Sequence, residues 1–307
     1  MLFNSWIYAI FFSVVLVGML ILKRTKFWLL WLLIASYLFY GWLNPMYLIL
    51  IGYSTVVTYF NARMIGRSKR RKLWLGIAIA NSIILLGFFK YAAFAAENLN
   101  HLAALLHLTM KIPKPGFLLP IGISFYTFIS MGYIIDVYRS KVPAERNFIR
   151  CAVFISFFPY LLAGPIERAQ NILPQFSEQP RISMDNITGG LSLFVVGLFK
   201  KIAIADFLAL YVNKVFGDPS QYPGLGSLLA TYAFAWQIYF DFSGYTDMAR
   251  GAARMLGFNL MLNFNNPYLS TGLGEFWRRW HISLSSWFRD YVYIPLGGNR
   301  HGRFRTH

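Results

Sequence analysis

Uncharged apolar runs organise the first half of the chain: Ser5 to Leu22, Phe27 to Leu43, Met46 to Phe60, Leu73 to Phe89 and Phe117 to Ile135. Most come close to the roughly 20 residues that a helix needs to cross a bilayer. The runs are continuous, not alternating, so they predict helices and not the strands of a barrel. Five crossings are expected from them. Beyond residue 150 the runs shorten or are interrupted: Cys151 to Gly164, Ile187 to Val212 with Lys200 and Lys201 inside it, and Leu225 to Phe240. Backbone at membrane depth must satisfy its own hydrogen bonds, so these segments predict further helices or short re-entrant pieces. The expected fold class is all-α, a polytopic membrane protein of about eight or more transmembrane and re-entrant helices.

Polar residues change the picture after residue 115. Pro120, Pro159, Pro165, Asp136, Glu167, Asp206, Asp241 and Asp247 lie in or beside apolar sequence, where freed backbone groups and charges are costly in lipid. They imply an interior lined by protein or water, and they place the functional half there. Between His101 and His107 the chain reads as a short amphipathic piece, with Leu99, Leu102, Leu105 and Leu106 at helical spacing, and predicts an external interfacial helix. His101 and His107 are six apart and do not share a helical face as a metal pair would. No repeat, low-complexity tract or long polar linker divides the chain, so residues 1–307 read as a single membrane domain.

Composition supports lipid as the solvent: 57% of the 307 residues are hydrophobic and 13% charged, against about a quarter charged in soluble domains. The formal net charge of +17 invites a nucleic-acid partner, but the positions of the charges argue otherwise. Lys23, Arg24 and Lys26 follow the first run, the Arg63 to Lys72 group follows the third, and Arg139, Lys141, Arg146 and Arg150 follow the fifth. Basic residues thus collect in alternate loops, the positive-inside pattern. It predicts a multi-pass chain with its N-terminus outside, its basic loops in the cytoplasm and membrane lipids as neighbours. No basic region precedes the first run and no small-residue cleavage site follows it, so it reads as a retained helix. Cys151 is the one cysteine, which excludes an internal disulfide.

The densest polar sequence runs from Trp277 to Tyr291. At helical spacing Trp280, Leu284, Trp287 and Tyr291 form one apolar stripe, with Arg278, Ser285 and Arg289 elsewhere, so one amphipathic helix is expected, ended by Pro295, Gly297 and Gly298. His281 is the only histidine beside apolar sequence with hydroxyls and guanidiniums near it, and neutral imidazole is the usual base near neutral pH. Two roles stay open for it: proton transfer, or a hydrogen bond that positions a loop or substrate. Arg278, Arg279 and Arg289 suit lipid phosphates or a phosphate-bearing acyl donor. Asp241 and Asp247, six apart, would face different ways, which argues against a paired-carboxylate mechanism. They could orient a histidine, contact a sugar hydroxyl, or pair with Arg250 or Arg254. No nucleotide loop, serine elbow or zinc-protease motif is present.

Four motifs then stand in one order: Tyr239-Phe240-Asp241-Phe242-Ser243-Gly244-Tyr245-Thr246-Asp247-Met248-Ala249, Asn263-Phe264-Asn265-Asn266-Pro267-Tyr268, Glu275-Phe276-Trp277-Arg278-Arg279-Trp280-His281-Ile282-Ser283-Leu284-Ser285, and Tyr293-Ile294-Pro295-Leu296-Gly297-Gly298-Asn299-Arg300. With Ala163-Gly164-Pro165-Ile166-Glu167-Arg168 and the opening Met1 to Ser5, the chain resembles the alginate O-acetyltransferase branch of the membrane-bound O-acyltransferases. The resemblance implies a funnel-like helical protein of the bacterial inner membrane that passes an acetyl group from a cytoplasmic donor, acetyl-CoA, toward hydroxyls of an exported polysaccharide. His281 matches the first of two family histidines. By the same resemblance Asp241, Tyr245, Asp247, Asn265, Asn266, Arg278, Arg279, Trp280, Ser283 and Ser285 are expected along the substrate tunnel, and a periplasmic polysaccharide acetyltransferase is the expected partner. No metal or resident cofactor is expected.

One departure is that the second family histidine, in an apolar segment, has no counterpart. His301 and His307 lie in a polar tail and do not replace it. A truncated chain, inactive alone, is the resulting expectation. The rival readings are a D-alanyl transferase of the teichoic acid type, a transporter, and a non-catalytic scaffold for the partner.

Overall fold

The computed structural model describes residues 1–42, 44–108, 111–116 and 120–299. The ends of two expected runs, Leu43 and Phe117, and the expectations placed on Arg300, His301 and His307 lie outside the described residues. Within them the regular structure is helical: α1 (Trp6–Leu22), α2 (Trp28–Gly41), α3 (Tyr47–Arg67), α4 (Arg71–Leu105) and α5 (Ile123–Tyr138) match the first five runs. By length and composition α3 and α4 are long and apolar enough to cross a membrane, and α1, α2 and α5 are shorter apolar helices. Outward-facing side chains such as Trp6, Ile10, Ile34, Leu38, Ile49 and Ile84 are exposed, as lipid-facing positions require.

The interfacial helix expected near residue 100 is instead the end of α4. Its 35 residues make a rod of about 50 Å, well beyond the roughly 30 Å apolar thickness, so the helix projects from the bilayer. His101 lies within its last turns, and His107 sits in the turn that follows, at φ 52°.

The interrupted segment after residue 150 folds as two short helices, α6 (Phe148–Ser156) and α7 (Phe158–Leu161). Cys151, Val153, Phe154, Phe157, Phe158 and Tyr160 are fully buried. Neither helix has the length to cross; they are sheathed by others, the condition under which re-entrant backbone is tolerated. The Phe158 N–H donates to Ser36 Oγ of α2 at 3.2 Å, and Phe158 meets Phe11 edge-on at 5.3 Å.

α9 (Met184–Phe199), a π-helical stretch (Lys200–Ala205) and α10 (Asp206–Gly217) form one continuous rod against the long α11 (Leu225–Met255). Glycines decide how close they come. A Cβ on Gly197 would stand 2.6 Å from the Gly244 carbonyl oxygen, and one on Gly190 would stand 2.7 Å from that of Gly251. The two antiparallel backbones touch where no side chain intervenes, the small-residue packing that holds helices together in lipid. That contact places Lys200 and Lys201, just past Gly197, beside the acids that flank Gly244. Lys200 Nζ lies 2.6 Å from Asp247 Oδ2, and Lys201 Nζ lies 2.5 Å from Asp241 Oδ1 and 2.7 Å from Asp206 Oδ1. Arg250 approaches Asp247 at 3.4 Å, whereas Arg254, its other expected partner, makes no ion pair with it among the described residues. The π-helical stretch begins where these lysines turn toward α11, as such bulges do when a helix re-aims side chains.

Candidate active site

The helix expected from Trp277 to Tyr291 is not continuous. α12 (Leu273–Arg279) stops, and α13 (Ile282–Phe288) starts after a break whose pivot is His281 at φ 42°. A non-glycine residue in the left-handed region is uncommon, histidine being among the more tolerant, and it persists only where surroundings enforce it. Here an extended strap enforces it. The Asn265 N–H donates to the Arg279 carbonyl at 2.9 Å, and the Ile282 N–H donates to the Asn263 carbonyl at 2.8 Å. The expected stripe is accordingly split in two. Trp280 packs with Phe264, Phe276 and Tyr268 at 5.1 to 6.0 Å between ring centroids. Trp287 and Tyr291 bury against α5, where a Cβ on Gly132 would stand 3.2 Å from Trp287 Nε1.

Two sets of contacts locate the break. On one side, Trp287 Nε1 donates to the Phe128 carbonyl at 3.0 Å and the Tyr291 hydroxyl donates to Asp136 Oδ2 at 2.8 Å. Phe128, Gly132 and Asp136 are one face of α5, so α13 is pinned along it. On the other side, the extended strap of residues 258–264 is held by α8 (Ala169–Ser177) and by Glu167, two residues ahead of it. Buried Glu167 accepts the Met261 N–H at 2.5 Å, and Gln175 accepts the Asn259 N–H at 2.8 Å.

At the centre, Asn263 is fully buried. The Ser283 N–H and Oγ both lie within hydrogen-bond reach of Asn263 Oδ1, at 3.2 and 2.9 Å, and His281 Nδ1 lies 3.0 Å from the same atom. A backbone N–H can only donate, which identifies the atom it faces as the carboxamide oxygen and not the nitrogen. His281 Nδ1 must then carry the proton, and Nε2 keeps its lone pair. No hydrogen bond is made by Nε2 among the described residues. The ring is walled by Phe242, perpendicular at 4.8 Å, and by Phe264, near-parallel at 6.3 Å. In this link between helices too short to span, burial lowers the His281 pKa from 6.5 to about 4, so the imidazole is neutral. The arrangement can accept a proton at Nε2 and return it.

The other expected residues divide. Ser283 stands beside His281, Oγ 3.4 Å from Nδ1, and Ser285 Oγ donates to the Trp280 carbonyl at 3.1 Å. Asn265 contributes its backbone N–H to the strap, and Asn266, at φ 45°, turns the chain into Pro267. Arg279 pairs with Glu275 at 2.5 Å, whereas Arg278 Nε donates to the Gly274 carbonyl at 3.1 Å and is exposed. Arg289 pairs with Asp290 at 2.8 Å. Asp241 and Asp247 are engaged by lysines, and Lys201 also lies 5.5 Å over the Tyr245 ring. The group that orients His281 is therefore a carboxamide and not an acid of α11; α11 sends Phe242 and Thr246 toward the site. Asn263, Lys200 and Lys201 were not singled out from sequence. Asn263 opens one of the quoted motifs, and the lysines interrupt an apolar run, so each carried a signal. Cavities of about 540 Å³ near Lys23 and 520 Å³ between α1 and α9 do not include His281.

The helical membrane architecture and the half-buried imidazole define a class of integral membrane protein with a neutral histidine at a helix break. Residues 123–306 match the model of MBOAT, the membrane-bound O-acyltransferase family, and the chain belongs to that family. Over its whole length it is 43% identical to "Probable alginate O-acetylase AlgI" of Pseudomonas aeruginosa, covering 59% of that protein. It is 36% identical to a peptidoglycan O-acetyltransferase of Helicobacter pylori over 98% of the chain and 62% of the relative. A teichoic acid D-alanyltransferase of Bacillus subtilis is 32% identical over 57% of the chain and 45% of the relative. The chain thus spans about 60% of the length of the acetyltransferase relatives.

Proposed function

We propose that the protein is an O-acyltransferase of the bacterial inner membrane. It moves an acetyl group from a cytoplasmic donor, with acetyl-CoA as that donor, toward hydroxyls of an exported polysaccharide such as alginate. The observation that carries this reading is the His281–Asn263 pair, whose geometry leaves Nε2 as a free base. In the proposed step an acceptor hydroxyl gives its proton to Nε2 as its oxygen attacks the acyl carbonyl, the bond to the donor's leaving sulfur breaks, and the proton passes to that sulfur. A passage reaching His281 from both membrane faces would bring donor and acceptor together, so proximity would supply much of the rate. The N-terminus then lies outside, the basic loops face the cytoplasm, and a periplasmic polysaccharide acetyltransferase receives the acetyl group and finishes its transfer to the polysaccharide. The alginate and peptidoglycan names of the relatives support a glycan acceptor; the D-alanyltransferase likeness covers little more than half the chain.

We further propose that residues 1–307 alone do not complete the transfer, because the second family histidine has no counterpart in them. The test uses membranes carrying the protein extended to the length of its relatives together with its periplasmic acetyltransferase partner, radiolabelled acetyl-CoA and alginate. Label should reach the polysaccharide, and His281→Ala should lower this by about 10²- to 10⁴-fold while membrane insertion stays intact. Label crossing the membrane without reaching any glycan would replace the enzyme with a transporter.

A further inference from the structure

A cavity of about 560 Å³ lies between the end of α3, the start of α4 and the loop leaving α5, lined by Arg63, Arg67, Arg71 and Arg146 with Ser68 and Ser140. Its lining contains no carboxylate, and among the described residues none of the four arginines has one within salt-bridge distance. The neighbouring acid, Glu145, is occupied. It takes two contacts from Arg150, at 3.0 and 3.2 Å, and the N–H groups of Arg146 and Asn147 at 2.7 and 2.8 Å. The basic cavity at Lys23, Arg24 and Arg181 differs, because Glu178 stands in its wall.

Arg71 is fixed in place. Its Nη2 donates to the carbonyls of Val137 and Tyr138 at 3.2 and 2.7 Å and reaches Ser140 Oγ at 3.1 Å. Its Nε is buried with no partner. The first turn of α4 begins at this residue, which adds the positive end of a helix dipole to the four guanidiniums. Uncompensated like charges around one cavity repel, and a phosphate oxygen set is the group that guanidinium forks match bidentately.

We propose that this cavity is a phosphate-ester binding site. The group can come from an anionic phospholipid or from a soluble phosphate compound. An exposed apolar stripe on α3, formed by Ile49, Tyr53, Val56 and Phe60 at helical spacing, runs toward Arg63 and Arg67 and suits the acyl chains of the lipid source.

The 307-residue chain, purified in neutral detergent, is equilibrated separately with radiolabelled phosphatidylglycerol, phosphatidylcholine and inorganic pyrophosphate, and retained label is measured. Preference for phosphatidylglycerol over phosphatidylcholine by about tenfold identifies the lipid source, and pyrophosphate binding of similar strength identifies the soluble one. In either case Arg67→Glu/Arg146→Glu should lower retention about tenfold, while the charge-matched control Arg24→Glu/Lys26→Glu changes it less than about twofold. Arg67 and Arg146 are exposed and make no side-chain hydrogen bond or ion pair among the described residues, and Arg67→Gln/Arg146→Gln serves if charge reversal impairs folding. Equal retention of both lipids without pyrophosphate binding would overturn the proposal. So would equal losses in the site and control variants.

Discussion

Two polar regions lie within the same apolar protein, and they handle their polarity in opposite ways. At the α9–α11 seam lysines and acids answer one another: Lys200 meets Asp247, and Lys201 meets Asp241 and Asp206. At the α12–α13 break no charge is used. A carboxamide oxygen, itself fixed by a backbone N–H, meets the imidazole at Nδ1 and leaves Nε2 unanswered among the described residues. Satisfied groups hold helices together, whereas a pre-oriented group with an open lone pair is available for chemistry. Intramembrane acids are by default functional candidates; here their pairing with lysines makes a structural role sufficient for them.

The sharpest way to break the comparison is at the seam. Gly197→Leu would drive a side chain into the Gly244 backbone, and no assembled protein should be recovered in membranes or by size exclusion. His281→Ala should then lower acetyl transfer by about 10²- to 10⁴-fold in an assay of the extended protein, with thermal unfolding nearly unchanged. If that variant instead fails to fold, the histidine belongs with the structural region. Lys200→Met leaves Asp247 with Arg250 alone and should cost about 3 kcal/mol of stability, measured by unfolding in detergent. Lys200→Met/Asp247→Leu should recover part of it.

A smaller effect is expected from Asn263. Replacement by alanine frees the ring to change tautomer and should lower transfer about 10- to 100-fold. Asn263→Asp should move the acid limb of the pH–rate profile upward, because a carboxylate beside Nδ1 stabilises the imidazolium. With the native residue the limb lies low, since burial depresses the pKa to about 4 and the base stays deprotonated above it. The smallest change is Trp287→Phe, which removes one hydrogen bond to the Phe128 carbonyl and should cost about 1 kcal/mol.

Much of the fold was legible because lipid imposes a simple rule on sequence. A continuous apolar run must become a helix, and the runs at Ser5 to Leu22 and Leu73 to Phe89 each coincide with one. The end of α4 was misread because amphipathic spacing in Leu99 to Leu106 does not say whether a helix is new or continued. His281 was legible as the one histidine beside apolar sequence and hydroxyls. Its break was not, since Trp280, Leu284, Trp287 and Tyr291 satisfy helical spacing on paper and only the strap pulls His281 to φ 42°.

By itself, then, the order of residues determined an all-helical membrane protein, the charge-free lipid faces, and the histidine on which the proposed chemistry turns. Tertiary structure alone decided what each polar group meets. Asn263 and His281 are 18 residues apart, Lys201 and Asp241 are 40, and Lys200 and Asp247 are 47. The lysine–acid partners are chosen by how closely α9 and α11 approach, a distance set by glycines on both helices at once, and the Asn263–His281 pair by the strap that crosses the α12–α13 break.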